Sequence, residues 1–264
     1  MMTDLMLMLS PANLIIFVLV MGRLSGMIAA APFFSTIQAP IQTKAILVFM
    51  VAFIMYPMVA ANTPNLVETG VMDLLVLTVL MVKEVAIGAV IGFCANLIFV
   101  GVQMAGQILA MQMGLSISNV LDPVTQQSVP VLGQFYMFIA SLTFIFINGH
   151  LWLFQSIYDS YKVVPINYNF IFTGPFVERI VYFTSQLFNI AFEIIVPIYA
   201  VLIITAMVLG LMSKALPQMN VFMVALPVKI YIGLALICLF TKPAATYLAG
   251  FMETLLTSVD KLFM

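Results

Sequence analysis

The stretch Val71–Met113, VMDLLVLTVLMVKEVAIGAVIGFCANLIFVGVQMAGQILAMQM, decides how the rest of the chain is read. It contains no proline, and its only charged residues are Asp73 and the adjacent pair Lys83 and Glu84. As one helix it would be about 64 Å long at roughly 1.5 Å per residue, twice a hydrocarbon core of about 30 Å. The stretch therefore predicts either two membrane spans or a segment partly outside lipid. Its second half carries a pattern. Gly88, Gly92, Asn96, Gln103, Gly106, Gln107 and Ala110 fall within about 100° of one another at roughly 100° per residue. Phe99 is the one bulky residue on that stripe. Small residues at this spacing allow helices to approach closely, and amides rarely face lipid, so the stripe faces protein or water. Packing inside a helix bundle is its simplest use.

Composition extends the same reading to the whole chain. The 264 residues are 64% hydrophobic and 7% charged, with a mean hydropathy of +1.20. A soluble domain of this length needs a polar surface that this composition does not supply. Several apolar runs approach or exceed the roughly 20 residues that cross a bilayer as helix. The runs are continuous, whereas barrel strands alternate in segments of about ten residues, so a polytopic all-α membrane protein is expected and a β-barrel is disfavoured. The opening MMTDLMLMLS lacks a basic stretch and carries Asp4, which predicts an uncleaved first helix acting as its own insertion signal. The net charge of −1 comes with no basic run, so no nucleic acid partner is suggested.

About six hydrophobic segments are expected. The first, Asn13 to Phe34, carries Arg23 near its middle. Nine Leu, Ile, Val and Phe residues from Leu14 to Ile28 offset it, at roughly −0.3 to −0.6 kcal/mol each against about +3 for a central arginine. A second runs from Ala45 to Ala61, after a turn with Pro40 and Lys44. Another covers Val129 to Ile147, followed by a mixed region from Asn148 to Glu178 that reads as loop, with Trp152, Tyr158 and Tyr161 interfacial by type. Ile180 to Met212 contains Glu193 and Pro197 and is expected to bend near the proline. Val221 to Phe240 is interrupted by Pro227 and Lys229, and the tail from Lys242 reads as amphipathic rather than spanning.

Catalytic signatures are not found: there is no Gly-rich phosphate loop, no H-E-x-x-H and no repeated acidic motif. No catalytic, cofactor-binding or metal residue is assigned, and no enzyme is expected. Cys94 and Cys238 lie within apolar segments and read as small hydrophobes. His150, the single histidine, reads as a structural contact. Arg23, Lys83, Glu84, Glu193 and Lys229 are charges inside apolar segments, which are functional candidates by default. They would be buried, paired, or turned to partner subunits. Lys83 and Glu84 are neighbours in sequence, so their side chains diverge by about 100° and seek partners elsewhere. Pro32, Pro57, Pro197, Pro227 and Pro243 interrupt strong spans, which at membrane depth requires protein or water to satisfy the freed backbone.

Four stretches carry a family likeness: GRLSGMIAAAPFF (Gly22 to Phe34) followed by Pro40 and Lys44, GQILAMQMGLSISNVLDP (Gly106 to Pro123), NGHLWLFQSIYDSYKVVPI (Asn148 to Ile166), and LPQMNVFMVALPVKIYIG (Leu216 to Gly233). In this order and spacing the chain resembles the FliR family of type III secretion export-gate proteins, flagellar and injectisome, with the overall pattern favouring the flagellar branch. The resemblance implies one export-gate domain over residues 1–264, with a FliP-like portion over about 1–185 and a FliQ-like helical hairpin over about 186–264. It implies a helical hetero-oligomer with FliP and FliQ, contact with FlhB, and proximity to FlhA and to proximal rod and hook–basal-body proteins. The place would be the bacterial inner membrane, in the flagellar basal body, with membrane lipid around it and unfolded export substrates passing through.

The resemblance also maps Met111 to Asp122 onto a loop that plugs the closed pore. A closure for an unfolded chain needs an adaptable apolar seal and a yielding turn. Met111 and Met113 would supply the first, and Gly114, Ser116, Ser118 and Asn119 the second, with Leu115 also in the plug, Gly114 as hinge and Asp122–Pro123 fixing the exit. Pro217, Gln218, Asn220 and Pro227 would dock the final hairpin to neighbouring FliQ-like subunits. The expected function is a structural subunit of the flagellar export gate. The alternatives are the homologous injectisome subunit, or an independent ion-coupled transporter using Glu84 or Glu193.

Overall fold

The computed structural model describes residues 11–31, 34, 40–61, 74–115, 131–166, 174–216, 218 and 220–259. Among the described residues all the regular structure is α-helical, in seven helices. They are α1 (Pro11–Ala30), α2 (Ile41–Ala61), α3 (Leu74–Gln112), α4 (Val131–Phe146), α5 (Gly149–Val163), α6 (Gly174–Ala215) and α7 (Val221–Val259). Five of these, α1, α2, α3, α6 and α7, are long and apolar enough to cross a membrane, and α4 with α5 makes a sixth if taken as one broken span. The protein is a multi-pass membrane protein, with the expected number of apolar segments.

The helices fall into two compact units. The first holds α1, α2, α3 up to Asn96, α5, the start of α6 to Phe183 and the end of α7 from Thr254. The second holds α3 from Leu97, α4, α6 from Thr184 and α7 up to Glu253. In the first unit, α1 begins on Pro11, whose missing N–H costs nothing at a helix start. It buries Ile16, Leu19, Val20, Leu24 and Met27 along one stripe. α2 answers with Val48, Ala52, Met55 and Val59, spaced three and four apart, and leaves Phe49, Met50, Phe53 and Ile54 outside. Phe17 stands edge-on to Phe49 and Tyr56 at 5.5 and 6.2 Å between ring centres.

The sequence left the stretch from Val71 open between two spans and one long helix. α3 is a single unbroken helix of 39 residues, about 58 Å at the usual rise. The supposed loop from Asn148 to Glu178 is corrected: α5 occupies its first half. Asn148 sits at φ 57, ψ 32, a left-handed conformation that asparagine tolerates better than most residues. Its carbonyl then accepts from the N–H of Leu151 at 2.9 Å and starts the new helix. The inward stripe of α5 is Leu153, Ser156, Ile157, Ser160 and Tyr161. Two serines at core positions hide that helical period from a hydrophobicity reading.

The tail from Lys242 has the one-sided burial expected of it, but it continues the preceding apolar helix and is not a separate element. α7 runs through Pro227 and Pro243, and its candidate span extends from Met223 to Leu255. Ile237, Ala244, Leu248, Met252 and Leu255 are buried at helical spacing on both sides of Lys242, so the chain keeps one buried face past that lysine. α6 likewise continues through Pro197 as one helix of 42 residues. Each proline removes one ladder donor and crowds the carbonyl four residues earlier, yet leaves the helical assignment continuous.

Candidate functional site

Two places gather the polar residues singled out by sequence, one in each unit. In the first unit the backbone of α1 lies directly against that of α3. A Cβ on Gly26 would overlap the Val85 carbonyl, one on Gly88 would overlap the Arg23 carbonyl, and one on Gly92 would lie 2.5 Å from the Met27 carbonyl oxygen. Only glycine permits this approach, and the glycines recur four apart on both helices, Gly22 with Gly26 and Gly88 with Gly92. The stripe of small residues on α3 is therefore a packing face here.

That close contact brings Arg23 and Glu84 together, both with fully buried side chains. Arg23 Nε donates to Glu84 Oε2 at 2.6 Å, Nη1 to Ser160 Oγ at 2.8 Å, and Nη2 to the Val164 carbonyl at 3.1 Å. The guanidinium carbon lies 3.7 Å from the centre of the Tyr161 ring. The Ser160 hydroxyl in turn donates to the Ile157 carbonyl at 2.6 Å. Lys83 donates to the Ile166 carbonyl, and its ammonium lies 3.9 Å from Glu84 Oε1, an oxygen with no hydrogen bond among the described residues. Lys83 and Glu84 thus take separate principal partners, as their spacing requires, while remaining close enough to attract.

The cluster joins α1, α3 and α5 through three cross-helix contacts and the chain just beyond α5. Planar guanidinium geometry suits it, because one side chain reaches a carboxylate, a hydroxyl, a carbonyl and a ring face at once. Tyr161, expected at a membrane interface, is instead buried beneath Arg23. Trp152, Tyr158 and His150 are half-buried. Sequence reasoning missed Ser160, Tyr161, Gly22 and Gly26 as members. The pair Gly22-x-x-x-Gly26 was the available signal, since that spacing in an apolar helix marks close pairing. Among the described residues no group of three His, Cys, Asp or Glu side chains could hold a metal ion.

In the second unit the stripe continues along α3. A Cβ on Gly106 would lie 2.6 Å from the Leu132 carbonyl oxygen, and Gln103 and Gln107 are half-buried beside Gly133 of α4. Phe99, the bulky exception, packs on Phe144 at 5.5 Å. Asn96, the last α3 residue of the first unit, is half-buried, and Ala110 in the second is buried. α3 then stops by a specific device. Gly114 adopts φ 80, its N–H donates to the Met111 carbonyl at 3.0 Å, and the Leu115 N–H reaches back to Ala110 at 3.0 Å. This pair of bonds around a left-handed glycine is a Schellman cap.

Met113 is fully buried against Gly233 of α7, where a Cβ would come within 2.6 Å of its sulfur, whereas Met111 is 60% exposed. Ser116, Ser118, Asn119, Asp122 and Pro123 lie outside the described residues, as does Pro217. Gln218, Asn220 and Pro227 are exposed and Lys229 is half-buried. Glu193 is exposed on α6 with the Tyr247 hydroxyl as its neighbour. It follows Gln186 and Asn189, which hydrogen-bond one another at 3.0 Å, at helical spacing on one side of α6.

Comparison with known proteins adds the relatives. The profile of the family described as bacterial export proteins, family 1, matches residues 14–255. The flagellar biosynthetic protein FliR of Bacillus subtilis (strain 168) is 32% identical over 229 residues, covering 85% of this chain and 84% of that protein. The protein of the same name from Escherichia coli (strain K12) is 29% identical over 214 residues, 81% and 79% of the two chains. The surface presentation of antigens protein SpaR of Shigella flexneri is 28% identical over 158 residues, 60% of each.

Proposed function

We infer function from the premise that the chain belongs to the bacterial export proteins, family 1. It is a membrane component of a type III protein-export apparatus, and the flagellar role is the better reading. The observation that carries it is likeness to proteins named flagellar biosynthetic protein FliR across more than four-fifths of this chain, against 60% for SpaR.

In this reading the chain is a non-enzymatic gate subunit that assembles with FliP and FliQ and packs with FlhB, near FlhA and the rod. Its first part, to about residue 185, takes the FliP-like role, and the remainder the FliQ-like hairpin. The polar row Gln186, Asn189 and Glu193 supports burial in an assembly. A carboxylate facing lipid at the middle of a span costs roughly 2.5–3.5 kcal/mol, so another polypeptide covering it is favoured. The segment Met111 to Asp122 closes the pore. The Schellman cap at Gly114 supports this by ending α3 within the segment. Gln218, Asn220 and Pro227, all exposed, dock the hairpin.

The test is complementation with co-purification. Expressed in a flagellated bacterium lacking its own FliR, the chain is expected to restore motility and to purify with FliP and FliQ. Photo-crosslinkers at Gln218 and Asn220 are expected to capture one of them. A chain that inserts stably but purifies alone, and that moves a solute when reconstituted alone in liposomes, overturns the reading in favour of an independent carrier.

A further inference from the structure

A groove of about 450 Å³ opens between the last turns of α1 and the first turns of α2, within the first unit. Its walls are Ile28 and Ala29 from α1 with Ile41, Ala45 and Val48 from α2, and among the described residues Lys44 is its only charged one. We propose that this groove binds an anionic phospholipid, with the headgroup phosphate on Lys44 and an acyl chain along the apolar wall.

Position argues first. The lining residues fall at the end of the candidate span Asn13–Ala30 and the start of Ile41–Ala60. The two helices run antiparallel, Phe17 meeting Phe49 and Tyr56 while Ile28 shares the groove with Val48. With these two candidate spans placed across a bilayer by their length and composition, the groove falls where hydrocarbon gives way to headgroups. Chemistry argues second. Arg23, Lys83 and Lys162 all have hydrogen-bonded partners. The Lys44 side chain is half-buried with no hydrogen bond or ion pair among the described residues. Lysine in such a place lays its methylenes along the apolar wall and keeps its ammonium at the aqueous edge. Ser25, on the same wall, already donates to the Gly22 carbonyl at 2.8 Å, so it presents no free proton.

The occupant must then be apolar along most of its length and anionic at one end. A free phosphate would use Lys44 and leave the walls wet. A zwitterionic lipid brings its own cation beside the phosphate, where Lys44 opposes it. One lysine near a membrane surface is sufficient for about a fivefold preference for an anionic headgroup.

The experiment uses the full chain in phosphatidylcholine vesicles containing a minor fraction of phosphatidylglycerol, with a photoreactive diazirine on the acyl chain of either lipid in turn. Peptides spanning residues 41–48 are expected to be labelled by phosphatidylglycerol about fivefold more than by phosphatidylcholine at equal amounts. Lys44→Gln should abolish the preference, Lys44→Arg should keep it, and Ala45→Trp should reduce labelling by both lipids. Equal labelling of the native chain by both lipids overturns the proposal, as does a preference that survives Lys44→Gln. Displacement by inorganic phosphate would reassign the site to a free anion. A photo-crosslinker at Ala45 that captures only polypeptide in intact cells would make the groove a subunit interface. None of these outcomes depends on the export role.

Discussion

Arg23 shows how a cation survives inside an apolar bundle. Desolvation disfavours it, and three hydrogen bonds with one ring face offset that cost. The balance depends on Glu84 being charged and in place. Glu84→Gln is expected to destabilise the protein by about 3–5 kcal/mol, because it leaves a buried guanidinium without its counter-charge. Pairing Arg23→Met with Glu84→Leu should recover most of the loss, since an apolar pair of similar volume has no charge to desolvate. Thermal melting of the detergent-solubilised protein measures both. A double variant no better than Glu84→Gln alone would show that the ion pair itself, rather than relief of an unpaired charge, holds the helices. From the sequence, Arg23 and Glu84 were identifiable as costly charges needing partners. That they are partners of each other was not, because they stand sixty-one positions apart and several other charges could have served.

Among the elements, α3 is the one whose packing depends most visibly on absent side chains. Gly88→Leu or Gly92→Leu would force α1 away, since backbone rather than a flexible side chain occupies the space. Overpacking commonly costs about 1–3 kcal/mol, and contact with a rigid carbonyl belongs at or above the upper end. Gly210 on α6 has nothing within 4 Å of an added Cβ. Gly210→Ala should therefore be neutral or stabilise by up to about 1 kcal/mol through helix propensity. Steady-state levels in membranes and melting temperatures of the three variants test the contrast; equal tolerance at Gly88 and Gly210 would refute the close approach. The small stripe of α3 was legible in the sequence because a periodic absence of bulk persists in any apolar surrounding. α5 was not, because serines occupy part of its buried stripe and Arg23, the partner of Ser160, comes from another element.

For the whole molecule the plug makes the sharpest prediction. If Met111 to Asp122 closes the pore, removing part of this segment beyond Gly114 should raise leakage of ions or small solutes through the assembled gate while assembly is retained. Unchanged membrane tightness in correctly assembled variant complexes would exclude the plug. Sequence by itself determined the membrane class, the number of apolar segments, the polar-faced half of α3 and the charges that needed partners. Each follows from composition or period, and the cost of placing polar groups in lipid makes these strong signals. Tertiary structure alone decided that α3 is unbroken, that α7 continues as one helix beyond Lys242, and that Arg23, Glu84, Ser160 and Tyr161 meet. The reason is that an amphipathic helix in water announces its buried face by contrast, whereas a helix apolar on every side does not. Which of its faces meets protein is settled by the shape and chemistry of the helices around it.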